Sequence, residues 1–131
     1  MINLYLNTNE KNGFNWYSTG EYYAIGYAFF KGDFYEKERI IDLFLRNDFD
    51  YNLISGCYSF IRKEEKKIVV ITGRFNIFPV YYYINDNDIY VSDRVDAIIL
   101  NSKNYDVNED ALVDWIYGGL VTNNETLIKG V

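Results

Sequence analysis

The chain has 131 residues, a net charge of −6 at pH 7 and 19% aromatic residues, including 14 tyrosines and 9 phenylalanines. This length favours one domain that buries roughly two thirds of its unfolded surface. The acidic balance argues against a nucleic-acid partner, because phosphate binding needs clustered Lys and Arg, and Glu64 and Glu65 dilute the longest basic run, at residues 62–67.

The N-terminal segment predicts two strands separated by a loop. Ile2 to Asn7 alternates apolar and polar residues, which is the period of a half-buried strand. Thr8 to Gly20 is rich in Asn, Thr, Ser and Gly and is typical of a loop or wide turn. Glu21 to Phe30 is continuously apolar and aromatic, so we expect a central strand, and Gly26 in its interior indicates a bulge or a close backbone approach.

The next segment predicts a helix that begins at Asp33. Asp33 and Glu36 have the Asp-x-x-Glu spacing of a capping box, in which each side chain accepts from a free backbone N–H of the first turn. The apolar residues that follow recur at helical spacing and end near Asn47. The predicted inward-facing residues are Ile40, Ile41, Phe44 and Leu45.

Three or four short strands are predicted between Ile54 and Ser92. A first strand begins at Ile54 and forms a hairpin with Lys67–Thr72. After a loop around the single proline, residues 80–84 and 89–92 form a second hairpin over the polar turn at residues 85–88.

Two further helices are predicted in the C-terminal part. Asp93 is the expected cap of a short helix that runs through Leu100. Asn108 opens a third helix, which Gly118-Gly119 ends. The predicted apolar stripe of this helix is Ala111, Leu112, Trp115 and Ile116. Alternating strands and single-striped helices together predict an α+β fold with two facing antiparallel sheets and helices on their outer faces.

The chain contains no histidine and one cysteine, Cys57. Ser-His-Asp, Cys-His and imidazole–metal sites are therefore excluded, and we predict no metal site. A single cysteine cannot form an internal disulfide, which suits a reducing compartment. No apolar run approaches the ~20 residues of a membrane span, and the N-terminus lacks the layout of a signal peptide, so we expect a cytoplasmic chain without membrane contact.

The most specific motif is Arg74-Phe75-Asn76-Ile77-Phe78-Pro79-Val80-Tyr81-Tyr82, which follows the strand that begins Leu53-Ile54-Ser55-Gly56. It resembles the Arg-Phe-Gly-Ile-x-Pro-Leu-Tyr-Tyr loop of the type 2 glutamine amidotransferase domain of asparagine synthetases, a family that includes the asparagine-synthetase-like lasso-peptide cyclases. The resemblance runs in order from Leu53 to Val131. It implies an αββα sandwich like that of N-terminal nucleophile hydrolases, with residues 1–131 as the amidotransferase-like domain and a synthetase domain following Val131.

The residues that carry the family's chemistry differ in this chain. The family's nucleophile is a cysteine freed by removal of the initiator methionine, whereas position two here is Ile2. The family's oxyanion-hole Asn-Gly pair corresponds to Ile25-Gly26. The aspartate that holds the substrate ammonium group has no counterpart between residues 33 and 53, Thr72-Gly73 replaces the family's Arg-Asp, and Phe78 replaces the arginine before proline.

The sequence therefore predicts no catalytic residue and a catalytically degenerate domain that serves an ATP-dependent, amide-forming synthetase as a structural or substrate-positioning module. That partner is a fused domain or a separate subunit. ATP and Mg²⁺ are expected in that synthetase partner, and no cofactor is expected in this chain. A peptide substrate and a second copy of the chain are the other partners that we consider. The alternatives are an active glutaminase whose nucleophile lies upstream and a free-standing module that binds a peptide or small ligand.

Two sets of residues are candidates for binding. Gly26, Arg74 and Asn76 are the candidate ligand-binding residues, and Asn76 stands where the family has glycine, as a residue that tolerates positive φ. The candidate partner surface is formed by apolar residues near the third helix and the C-terminal exit of the chain. These residues are Tyr117, Leu120, Val121, Leu127 and Ile128.

Overall fold

The computed structural model describes residues 1–9 and 13–131, and these residues form an α+β protein with two sheets. The strands are β1 (Ile2–Tyr5), β2 (Tyr17–Thr19), β3 (Tyr22–Phe30), β4 (Asp33–Glu36), β5 (Ile54–Lys63), β6 (Ile68–Thr72), β7 (Tyr81–Ile84) and β8 (Ile89–Ser92). The α-helices are α1 (Arg39–Phe44), α2 (Val95–Ser102) and α3 (Glu109–Gly118), and a short 3-10 helix spans Tyr51–Leu53. The chain divides into two compact units, one built mainly from residues 6–80 and one mainly from residues 81–131 with most of the first five.

The unit of residues 6–80 contains a five-stranded antiparallel sheet in the order β2-β3-β5-β6, with β4 also paired to β3. The predicted hairpin between the Ile54 strand and the following segment is confirmed, because Ser59 to Lys63 of β5 pairs with Ile68 to Thr72 of β6. The predicted central strand is confirmed as β3. In the predicted loop of residues 8–20, residues 10–12 lie outside the described part, and residues 17–19 form β2 instead of a loop.

The predicted helix start at Asp33 is wrong, because Asp33 to Glu36 is strand β4. Phe30 pairs with Asp33, so Lys31 and Gly32 form a two-residue hairpin turn. Both residues have positive φ, +49° and +85°, as a type I′ turn requires. This turn returns the chain along β3, and the helix begins only at Arg39, without a side-chain cap.

Helix α1 packs on one face of the five-stranded sheet and closes the core of this unit. Ile40, Ile41 and Leu43 are buried, whereas Leu45, predicted to face inward, is half exposed because the helix ends at Phe44. The Phe44 ring stacks on Phe60 of β5 with centroids 4.3 Å apart and an interplanar angle of 13°. This aromatic pair joins the helix to the sheet.

Arg46 fixes the chain where it leaves α1. Its guanidinium donates to Asp48 at 2.7 and 2.9 Å and to the Tyr35 hydroxyl at 2.7 Å. The hydrogen bonds from Arg46, with a further one from Lys31, hold the pKa of the Asp48 carboxyl well below its usual range. The link between Arg46 and Tyr35 ties the end of the helix to β4.

The second sheet has three strands in the order β1-β8-β7. Strands β7 and β8 form the predicted hairpin, with Tyr81 opposite Ser92 and Ile84 opposite Ile89. Asn85 closes its turn, because the Asn85 side-chain oxygen accepts from the Asp88 N–H at 2.8 Å.

The expectation of purely antiparallel sheets is wrong for β1. The Ile89 N–H donates to the Met1 carbonyl at 2.8 Å, and the Ser92 hydroxyl donates to the Tyr5 carbonyl at 2.6 Å. Later residues of β1 therefore lie beside later residues of β8, so the two strands run in the same direction. The predicted early strand itself is confirmed, although it ends at Tyr5.

The helices of the second unit follow β8. The N-cap residue of α2 is Arg94 and not, as the sequence had predicted, Asp93, and no side chain caps the helix. Helix α2 extends to Ser102, two residues beyond the predicted end at Leu100. The third predicted helix is confirmed as α3: Asn108 accepts from the Ala111 N–H at 3.2 Å, and Gly119 ends the helix with φ +73°. Its predicted apolar stripe is covered only in part: Ala111 is buried and Leu112 partly buried, whereas Trp115 and Ile116 are exposed.

The α+β class and the two mostly antiparallel sheets are therefore observed, whereas the facing arrangement, the relation to N-terminal nucleophile hydrolases and the single-domain boundaries stay predictions. Within residues 1–9 and 13–131, no helix has the length and apolar character needed to span a membrane.

Candidate functional site

The ligand-binding candidates Arg74 and Asn76 lie in a tight turn directly after β6. The Asn76 N–H donates to the Gly73 carbonyl at 3.1 Å, which closes the turn and makes Arg74 and Phe75 its two central residues. Asn76 has φ +48°, the backbone conformation that the sequence led us to expect at this position. The Gly73 N–H donates to the Tyr58 carbonyl at 2.7 Å, so the turn is tied to β5.

The turn forms one wall of an open cleft of about 300 Å³. Strand β6 pairs only with residues 59–63 of β5, so the first half of β5 has β3 on one side and this cleft on the other. The cleft is lined by the turn, by the start of β5 and by the short helix before it. The residues that matter for its chemistry are Asn52, Ser55, Gly56, Tyr58, Arg74 and Phe75.

Tyr58 is the buried polar side chain of this cleft. Burial raises the pKa of its hydroxyl, the neighbouring Tyr51 adds to this effect, and the positive charge of Arg74 acts against it. The phenol therefore stays protonated at neutral pH and can donate a hydrogen bond. Arg74 and Tyr58 both line the cleft.

Gly26, the third ligand-binding candidate, does not share this cleft. It lies in the middle of β3 with φ +98°, and a Cβ atom there would stand 2.0 Å from the Cys57 carbonyl oxygen. Gly26 instead lines a smaller cavity of about 40 Å³, together with Phe14, Tyr17 and Glu36. The close backbone approach predicted from the sequence is thus confirmed.

Cys57 lies on β5, opposite Tyr27 of β3. The Tyr27 hydroxyl donates to the Cys57 sulfur at 3.6 Å, and this hydrogen bond raises the pKa of Tyr27. The chain has no histidine to act as a base for the thiol. Cys57 is therefore a half-buried residue of the sheet, held by a neighbouring phenol.

The partner-surface candidates differ in their exposure. Tyr117 is 87% exposed and Leu120 is 59% exposed, whereas Val121, Leu127 and Ile128 are partly buried. The backbone explains this difference, because Ile128 forms a bridge with Val107 and the Leu127 carbonyl accepts from the Asn108 N–H. Tyr117 and Leu120 lie at the free end of α3.

Residues that the sequence analysis had not assigned to either candidate set extend both sets. Tyr58, Ser55 and Asn52 line the cleft together with Arg74. In the sequence they look like residues of an ordinary strand and of the segment before it, so no pattern marks them as site residues. On α3, Val113 lies three residues before Ile116 and four before Tyr117, so these side chains share one side of the helix, and all three are exposed. Only the structure shows that β6 stops short of the cleft and that α3 turns these side chains outward.

The described residues thus define an α+β protein that has a polar and aromatic cleft beside β5 and an exposed apolar helix face on α3. No family model, no curated protein and no solved structure matches the chain.

Proposed function

We propose that the chain is a catalytically degenerate amidotransferase-like domain that serves an ATP-dependent, amide-forming enzyme as a structural or substrate-positioning module. The proposal is supported by the motif resemblance between Leu53 and Val131 and by the loss of the family's nucleophile, oxyanion donor and ammonium anchor. The observation that carries it is the exposed apolar surface of α3.

That surface follows the helix period. Val113, Ile116 and Tyr117 are spaced as i, i+3 and i+4, and Leu120 follows directly after the helix cap at Gly119. Each of the four side chains is exposed, although α3 buries Ala111 on its other side. A contiguous apolar helix face on a soluble domain marks an interaction site, and aromatic residues such as Tyr117 are typical anchors of one. We assign this face to the synthetase partner.

The first test is binding to the synthetase. We expect the ATP-binding domain encoded beside this chain to form a complex with it, and Leu120→Asp to weaken the complex at least about tenfold, because a carboxylate would be desolvated in an apolar contact. The complex is measured by size-exclusion chromatography with light scattering and by calorimetry. Circular dichroism checks that the variant is folded.

Leu45→Asp is the matched control, because Leu45 is exposed to a similar degree, 50% against 59%, and lies in the other compact unit. It should leave binding unchanged. Equal weakening by both substitutions, or wild-type binding by Leu120→Asp, would contradict the assignment of the interface. The absence of a Ser-Gly-Gly-x-Asp-Ser phosphate-binding loop from the DNA downstream of Val131 and from neighbouring genes would remove the proposed partner.

The second test is glutamine turnover. We expect the purified chain to release no glutamate from glutamine, because Ile2 offers no thiol and Cys57, the chain's single cysteine, has no histidine base. A coupled glutamate assay measures this, and Cys57→Ala is the control. Turnover that Cys57→Ala abolishes would show that the domain is an active hydrolase.

A further inference from the structure

The cleft beside β5 contains a buried phenol whose hydroxyl has no hydrogen-bond partner among the residues that the structure describes. Tyr58 is 4% exposed, and its hydroxyl forms none of the hydrogen bonds found among residues 1–9 and 13–131. In the same part of the chain, every fully buried side-chain oxygen or nitrogen has a partner. The Tyr58 hydroxyl therefore reaches the open space of the cleft, where a ligand or solvent must satisfy it.

The cleft also contains a cation that has no carboxylate partner in the described part of the chain. Arg46, Arg62 and Arg94 each form an ion pair with a nearby acidic side chain. Arg74 forms no such pair with any residue that the structure describes, and it is the one charged residue in the cleft lining. Asp50 is the acidic residue closest in sequence to the lining residue Asn52. Its carboxylate already accepts hydrogen bonds from the backbone and the side chain of Asn52.

The donors and walls of the cleft define the ligand chemistry. An arginine fork in the same cleft as a phenol donor suits the two oxygens of a carboxylate. A phosphate dianion fits less well, because a single cation stands in a chain of net charge −6. Phe75, 79% exposed at the rim, provides an aromatic surface for an apolar group next to the carboxylate.

We propose that this cleft binds a carboxylate that carries an adjacent apolar side chain, as at the C-terminal end of a peptide or in a free N-acyl amino acid. In this assignment Arg74 binds the carboxylate, Tyr58 donates a hydrogen bond to it, and Phe75 packs on the apolar side chain. A volume of about 300 Å³ is sufficient for one such residue. The proposal goes beyond docking on a synthetase, because the cleft lies within residues 52–75 and binding needs no second protein.

The experiment is a titration of the ¹⁵N-labelled chain followed by NMR. N-acetylphenylalanine is expected to shift the amide resonances of Gly56, Tyr58, Arg74 and Phe75 in a saturable manner, and N-acetylphenylalaninamide is not. An acetylated pentapeptide with a free C-terminal phenylalanine separates the two sources of the carboxylate. Tighter binding than the single residue identifies a peptide end as the natural ligand, and equal binding identifies a free acyl amino acid.

Matched variants assign the roles. Arg74→Gln should weaken N-acetylphenylalanine binding about tenfold or more, and Tyr58→Phe about fivefold, since Arg74 contributes a positive charge and two parallel donors whereas Tyr58 contributes a single uncharged donor. Arg62→Gln, on the same strand as Tyr58 but outside the cleft, should bind as the parent chain does.

Several results would overturn the proposal. They are equal binding of the amide, stronger binding of inorganic phosphate than of the carboxylate, shifts confined to other residues, unchanged binding by Arg74→Gln, and no saturable shift with either carboxylate probe.

Discussion

Gly26→Ala is expected to abolish stable folding. The new Cβ would lie 2.0 Å from the Cys57 carbonyl oxygen and 2.8 Å from the Phe78 ring, on a backbone with φ +98°. The carbonyl belongs to β5, the neighbour of β3 in the sheet, so the clash can be relieved only by separating these strands. We expect a loss of about 4–5 kcal/mol or more, which is close to the whole stability of a small domain. Far-UV circular dichroism and urea denaturation measure it.

The control for this substitution is Gly118→Ala. A Cβ atom at Gly118 would meet nothing within 4 Å, and its φ is not positive, because the residue is the last of helix α3. Alanine is the better helix former, so we expect stability to be unchanged or to rise by about 0.5 kcal/mol. A Gly26→Ala chain with the unfolding midpoint of the parent would show that β3 and β5 are not as close as described here.

Phe60→Ala is expected to have the second largest effect. Phe60 is 4% exposed and stacks on both Phe44 of α1 and Tyr22 of β3. Removing the ring deletes buried apolar contacts and leaves a cavity between helix and sheet, at a cost of about 3–5 kcal/mol. Phe60→Leu, which keeps most of the volume, should cost less than about half of this. Urea denaturation measures the free energy of unfolding of both variants, and an unchanged dependence of that free energy on urea concentration shows that the comparison is valid.

Phe75→Ala is the matched exposed control, because its ring is mostly in solvent. We expect it to change stability by less than about 0.5 kcal/mol. If Phe60→Ala and Phe75→Ala had equal effects, the stack between α1 and the sheet would not contribute to the core in the way that the ring geometry indicates.

Sequence patterns predicted the elements whose signals are local. The β7–β8 hairpin follows from the polar turn between two apolar runs, and α3 follows from the Asn108 cap and Gly119. The helix expected at Asp33 failed because two local signals compete there. A capping-box spacing and a positive-φ turn at Lys31-Gly32 both fit the residues, and pairing with β3 selects the turn.

The candidate site was predictable only in part. Arg74 was selected from its motif, but Tyr58 reads in the sequence as one more aromatic strand residue. Its role depends on where β6 ends relative to β5, which is a property of strand register and not of composition. The outward apolar face of α3 was predicted only in part: Tyr117 and Leu120 were named as candidate partner residues, but Val113 and Ile116 were not. Periodicity shows that a helix has an apolar side but not which side meets the core.

The pairing of β1 with β8 sets an order of events during synthesis. Tyr5 meets Ser92 across 87 positions of the chain, whereas the strands of the five-stranded sheet are drawn from residues 17–72. At a synthesis rate of about 5–20 residues per second, β1 waits for several seconds on the ribosome before its partner strand exists. The five-stranded sheet can close in that interval, because loop closure costs less between nearby segments. Strand β1 therefore stays unpaired until β8 has been synthesised, and the three-stranded sheet forms after the five-stranded sheet can already have closed.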